Sequence, residues 1–225
     1  MDIFYAISLD PAQLHDFSAL AVLQVDPDAA DSGNVYRLVS LKRKQRLSYV
    51  EIVAWAKRVF LNPKFQPDAK FIIDVGGVGR ALADMFTAEG IESIPIQLTG
   101  GEAESVVDGT YHVSKSLLIG RFLAAWDAAR VQVPATASFL PILEAELKAF
   151  RGAMSAQGRA TFEASQGEHD DLVLALAQAV WYFEKYSPVR IPKLVFSGGD
   201  RKPAWRESPP RFVDRSYISP GLGLR

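Results

Sequence analysis

The chain contains no cysteine. Disulfides, thiolate metal sites and a Cys nucleophile are therefore excluded, and a metal could be held only by oxygen or by the histidines His15, His112 and His169. Net charge is also lacking: 25 Lys/Arg against 26 Asp/Glu leave −1, so composition alone points to no polyanionic partner. No apolar run is long enough to span a bilayer. The longest, Leu172 to Phe183, is interrupted by Gln178. Met1-Asp2-Ile3-Phe4-Tyr5 has neither the basic start nor the apolar run of a signal peptide, so a cytoplasmic protein with no membrane partner is expected. What is present is 48% hydrophobic residues in a chain of 225, enough for a sizeable core and too apolar to stay disordered throughout.

The near-zero charge hides an asymmetry. From Lys185 to Arg225 there are nine Lys/Arg and three Asp/Glu, so the rest of the chain carries −7. That last stretch also holds six of the 13 prolines and four of the 16 glycines. The expected organisation is a folded body, residues 1–186, and a basic Pro/Gly-rich C-terminal extension, residues 187–225. The extension reads either as a solvated arm or as a contact for nucleic acid or a partner.

Along the body, Ile3–Leu9, Phe17–Val25 and Val35–Leu41 read as three strands with short links, an antiparallel meander. Ser48 and Glu51 have capping-box spacing and open a helix that Asn62-Pro63 stops. Lys70–Ile73 is a short buried strand, and Gly76-Gly77-Val78-Gly79 turns the chain into a helix over Arg80–Glu89. A strand over Ile91–Leu98 follows, then a polar, mobile-looking segment from Thr99 to Tyr111. Helices are expected over Lys115–Ala129 and Phe139–Ala149, a hairpin over Phe150–Glu163, and a long helix from Glu168 to Tyr186. Strands separated by helices should pair in parallel. The predicted fold is α/β, a mixed five-stranded sheet flanked by helices, with the extra hairpin before the last helix.

Three places put carboxylates at element ends: Asp10, Asp74, and Asp170 with Asp171. Each has an ordinary reading, as a turn former or as a helix-start residue favoured by the macrodipole. Open α/β sheets, however, build their sites beyond the carboxyl ends of strands. If the strands ending in Asp10 and Asp74 are neighbours, the two carboxylates lie side by side, and an acidic helix start could join them. Such a cluster repels itself and suits a hard divalent cation. Gly77 and Gly79 read as backbone freedom for the turn, with a nucleotide loop as the rival.

These motifs carry a resemblance. Asp10-Pro11-Ala12 followed by Asp16-Phe17-Ser18-Ala19-Leu20, then Ile73-Asp74-Val75-Gly76-Gly77-Val78-Gly79, then Gly167-Glu168-His169-Asp170-Asp171-Leu172 together resemble the nuclease domain of the tailed-bacteriophage terminase large subunit. The resemblance covers about residues 5–186. It implies a ribonuclease H-like fold and a metal-dependent endonuclease that hydrolyses double-stranded DNA with two Mg²⁺ or Mn²⁺ ions, in the bacterial host cytoplasm. Carried over, Asp10, Asp74 and Asp171 become catalytic metal ligands and Asp170 a neighbour or fourth ligand. Asp16, Lys115 and His169 become candidates for supporting or DNA-contacting roles. The implied partners are a packaging ATPase, a small terminase subunit and a portal. The chain has no Gly-x-x-x-x-Gly-Lys-Ser/Thr loop of its own, so it reads as an excised domain or a separately encoded nuclease. A Holliday-junction resolvase and a non-catalytic assembly module of the packaging motor are the alternatives.

Contacts to DNA phosphates are expected from Lys42, Arg43, Lys44 and Arg46, which could equally be charges that keep a sheet edge from pairing, and from the basic extension. Removing residues 187–225 should leave a folded body with weaker duplex binding and a flatter dependence of affinity on salt. A salt titration of both proteins checks this, and equal slopes would mean that the extension does not touch DNA.

Overall fold

The computed structural model describes residues 3–12, 16–30, 33–157, 170–188 and 212–214. The three expected strands are β1 (Phe4–Asp10), β2 (Phe17–Ala30) and β3 (Gly33–Gln45), paired antiparallel in succession. Helix α1 (Tyr49–Phe60) starts with the complete capping box, Ser48 accepting from the Glu51 N–H and Glu51 from the Ser48 N–H. Strand β4 (Ala69–Asp74), helix α2 (Gly79–Ala88) and strand β5 (Ile94–Thr99) follow. Strands β6 (Glu104–Val107) and β7 (Thr110–Ser114) precede α3 (Lys115–Asp127), and β8 (Val131–Gln132) precedes α4 (Leu140–Gln157). Helix α5 (Asp171–Lys185) runs into β9 (Tyr186–Pro188), which pairs with β10 (Phe212–Asp214).

The sheet order is β6-β7-β5-β4-β1-β2-β3-β8. It is mixed, as expected, but eight-stranded rather than five-stranded. Most of the difference is the β6–β7 hairpin, in the segment read as polar and mobile. Asp108 and Gly109 form its turn with φ of 48° and 75°, the pair of left-handed residues that a tight hairpin needs. The hairpin expected over Phe150–Glu163 is corrected in its first half: α4 continues to Gln157, because 150–157 extends the helical register of Leu143, Leu147 and Phe150. Residues 158–169 lie outside the described ones. So does most of the C-terminal extension; its described residues are Ser187 and Pro188, at the end of β9, and Phe212–Asp214, which pair with β9.

Two layers of helix cover the sheet. On one face α1 and α2 pack on Ile7, Leu9, Leu20, Val22, Phe71 and Ile73. On the other, α3, α4 and α5 cover Phe4, Ala6, Ala19, Ala21, Tyr36 and Ile72. Helix α5 is buried at every position from Asp171 to Phe183, which explains why its sequence is apolar all round. Among the described residues no helix is long and apolar enough to cross a membrane.

One polar pair interrupts the contact between α5 and the sheet. Ser8 Oγ donates to Gln178 Oε1 at 3.3 Å, both residues being fully buried, and Gln178 Nε2 has no hydrogen-bond partner among the described residues. A buried amide left half-satisfied costs about as much as its hydrogen bond contributes. The double variant Ser8→Ala/Gln178→Met should therefore unfold within about 1 kcal/mol of the wild type in urea, or be more stable. A loss of about 3 kcal/mol would show the pair to be indispensable.

Candidate metal centre

Strand parity and pairing decide which carboxylates meet. Strands β1 and β4 are adjacent and parallel, Leu9 opposite Ile73, so Asp10 and Asp74 leave the sheet side by side at its carboxyl edge. Both follow the parity of Ala6 and Ile72, which face α3 to α5. Helix α5 begins at the same corner with Asp170 as its N-cap and Asp171 as its first residue. Burial raises the Asp10 carboxyl well above the usual range, and the charges of Asp74, Asp171 and Asp170 raise it further, against Lys115. Burial also raises Asp74, opposed by backbone N–H groups of Gly76 and Leu98 and by Lys115.

The Gly-rich turn holds Asp74 in place. The Gly76 N–H donates to Asp74 Oδ1 at 2.7 Å. A Cβ at Gly79 would lie 1.8 Å from the Asp74 carbonyl oxygen, so the turn can close on the strand end only with glycine there. Gly77 has a φ of 51°. The turn thus serves the carboxylate beside it.

Lys115 is in the site, its Nζ 2.5 Å from Asp170 Oδ2. Asp170 consequently makes no capping bond to its own helix. The open Val173 N–H is taken instead by Glu146 of α4, Oε2 at 3.0 Å. Glu146 is a site residue that the sequence reading did not single out. It is buried, and its carboxyl is pushed up to about 7, chiefly by burial and then by Asp171 against Arg43. A glutamate in the apolar pattern Leu143, Glu146, Leu147, Phe150 was the available signal, since a charge on the buried stripe of a helix needs a reason.

The basic cluster separates. Lys42, Lys44 and Arg46 are exposed at the end of β3, with Lys44 Nζ 4.8 Å above the Trp55 ring. Arg43 turns the other way, into the acidic corner, with its guanidinium 4.1 Å from the Phe17 ring. Asp16 is exposed just ahead of β2, while His15 and His169 lie outside the described residues. His112 is half-buried on β7, paired with Gln97 and Ser105.

The donor set fits a hard divalent cation: carboxylate oxygens, with buried Glu146 Oε1 lacking a hydrogen bond among the described residues. Among the described residues no three such side chains are drawn tightly enough together to hold an ion as they stand. The carboxylates share one corner while Lys115 and Arg43 lean on two of them.

A family model described as the terminase RNaseH-like domain matches residues 7–183. The large terminase subunit of Thermus virus P23-45 is 28% identical over 183 residues, 81% of this chain and 32% of that protein. The chain thus spans about a third of the length of the curated relatives it matches. Among solved structures, the large terminase nuclease of thermophilic phage G20c with bound magnesium superposes with a TM-score of 0.58 at 26% identity, covering 80% of this chain and 82% of that one. The Thermus phage P74-26 large terminase nuclease domain gives 0.57 at 25%, covering 81% of each.

The Glu146 environment sets a pH dependence. Its carboxyl titrates near 4.5 in an open chain and near 7 in the fold, so between those values the folded protein keeps a proton that the unfolded chain has lost. Stability without metal should fall as pH rises through this window, and Glu146→Gln should remove that part of the slope. Thermal melts of both proteins in EDTA check it. A constant difference between them across the window would place the Glu146 proton outside the folding equilibrium.

Proposed function

The chain belongs to the terminase RNaseH-like domain family, and we propose that it is a metal-dependent endonuclease that cuts double-stranded DNA as the nuclease part of a phage or prophage packaging terminase. The observation that carries this reading is the parallel pairing of β1 with β4, which sets Asp10 beside Asp74 at the edge where α5 begins with Asp170 and Asp171. The magnesium-bound state of the G20c nuclease supports a divalent cation as the cofactor.

In this reading Asp10, Asp74 and Asp171 are the ligands and Asp170 is a fourth carboxylate within reach. Two Mg²⁺ or Mn²⁺ ions held there would stabilise negative charge on the attacking and leaving oxygens of a phosphodiester. The chain's own residues do the rest. The Gly76 N–H and the tight turn at Gly79 keep Asp74 aimed at the corner. Lys115 offsets the charge of Asp170 and is within reach of a phosphate drawn to the site. Lys42, Lys44 and Arg46 lie exposed at the end of the strand whose Arg43 enters the site, where they can track a duplex backbone by charge alone. A packaging ATPase, the small terminase subunit and the portal are the partners this role requires, and the host cytoplasm is its place.

Asp74→Asn should abolish magnesium-dependent nicking and linearisation of plasmid DNA while the protein remains folded. The metal-free melting temperature should hold or rise, because one of the repelling carboxylates is neutralised. Undiminished cleavage by the purified variant would overturn the mechanism. Preference for four-way junctions over linear duplex would favour the resolvase alternative.

A further inference from the structure

We propose that Arg43 and Glu146 form a restrained charge pair that controls how readily Asp171 accepts a divalent cation. Arg43 is the resident competitor for the Asp171 carboxylate, and Glu146 holds it back. The inference rests on the reading of Asp171 as a metal ligand and extends it to two positioning residues.

Register explains how Arg43 arrives. Asp10 pairs with Ala19 on β2, and Ala19 with Arg43 on β3, so Asp10 and Arg43 occupy one cross-strand row and one face. Phe17 stacks against the guanidinium and limits its movement along the strand. Arg43 Nη1 then lies 3.5 Å from Glu146 Oε1 and 3.8 Å from Asp171 Oδ2. It is buried and hydrogen-bonds to neither. Lys115, by contrast, is committed to Asp170.

Glu146 cannot follow Arg43. Its Oε2 is tied to the Val173 N–H in the first turn of α5, and its Oε1 has no hydrogen bond among the described residues. The cation is thus shared between one anchored anion and one anion with another use. Two consequences of opposite sign follow. Without the Glu146 charge, Asp171 is the remaining ion-pair partner of Arg43 among the described residues, and Arg43 closes on it, so an incoming cation must displace it. Without Arg43, the competitor is gone and Glu146 adds its charge to the acidic corner, so an incoming cation is held more tightly. Loss of packing would instead weaken cation binding in both cases, which separates this role from a purely structural one.

The test is calorimetric titration of the full chain with Mn²⁺ alone at pH 8, no DNA present, with thermal melts to verify folding. Arg43→Gln should bind Mn²⁺ about fivefold or more tightly than the wild type, and Glu146→Gln about fivefold or more weakly, as expected for charges in direct contact. Arg43→Gln/Glu146→Gln should return close to the wild-type affinity. Binding in Arg43→Gln that is unchanged or weaker overturns the inference, and that variant decides alone if Glu146→Gln does not fold. A wild type that takes up no Mn²⁺ would overturn the reading of the ligands and this inference with it. A wild type that binds while Arg43→Gln matches it overturns the inference alone.

Discussion

Mutual repulsion among carboxylates is the constraint around which this molecule is arranged. Parallel pairing of β1 with β4 forces Asp10 and Asp74 together, and the start of α5 adds Asp170 and Asp171. Four like charges at a half-buried corner oppose folding unless something offsets them. The chain offsets them one by one: backbone N–H groups for Asp74, Lys115 for Asp170, and Arg43 near Asp171. The Asp10 carboxyl, raised by burial and by its three acidic neighbours, is opposed only in part by Lys115. A corner so charged and so partly offset is poised for a divalent cation, which is why electrostatics and the proposed chemistry point the same way.

The scaffold meets this strain with apolar burial. Helix α5 is enclosed from Asp171 to Phe183, packed on β1, β2 and β3 and against α3 and α4. Its first turn, which carries two of the carboxylates, is thereby held by the burial of everything after it. Capping is redistributed in keeping with this. Asp170, the N-cap, gives its side chain to Lys115, and Glu146 of α4 satisfies the backbone in its place. An acidic residue that would ordinarily stabilise its own helix is released toward the site because a neighbouring helix supplies the substitute.

Much of this was legible in the chain. β-rich apolar runs and short links pointed to the β1–β3 meander, the Ser48–Glu51 spacing to the start of α1, and carboxylates at element ends marked the corner. Other features were not. The β6–β7 hairpin lies in a polar stretch where only Asp108-Gly109 signalled a turn, and its strands are too short to show alternation. The hairpin expected over Phe150–Glu163, with its turn near Ala156-Gln157-Gly158, is overturned in its first half because the register of α4 carries through Gly152 as far as Gln157. Arg43 was grouped with Lys42, Lys44 and Arg46 because adjacent charges look alike in a string. Strand parity turns it to the opposite face from Lys42 and Lys44.

Local chemistry is thus what the sequence by itself determined: which runs are apolar, which residues cap, which glycine allows the chain to close on Asp74, and which acids stand at ends. Those properties depend on neighbours a few positions away. Only the tertiary structure decided which ends meet, because the parallel partner strand of β1 lies 64 residues on in register, as in Leu9 opposite Ile73, and Glu146 is separated from Arg43 by more than 100. It also decided what each charge does once there. The role of Arg43 and Glu146 follows from the sheet register and from the packing of α4 against α5, and neither is written in the immediate neighbourhood of either residue.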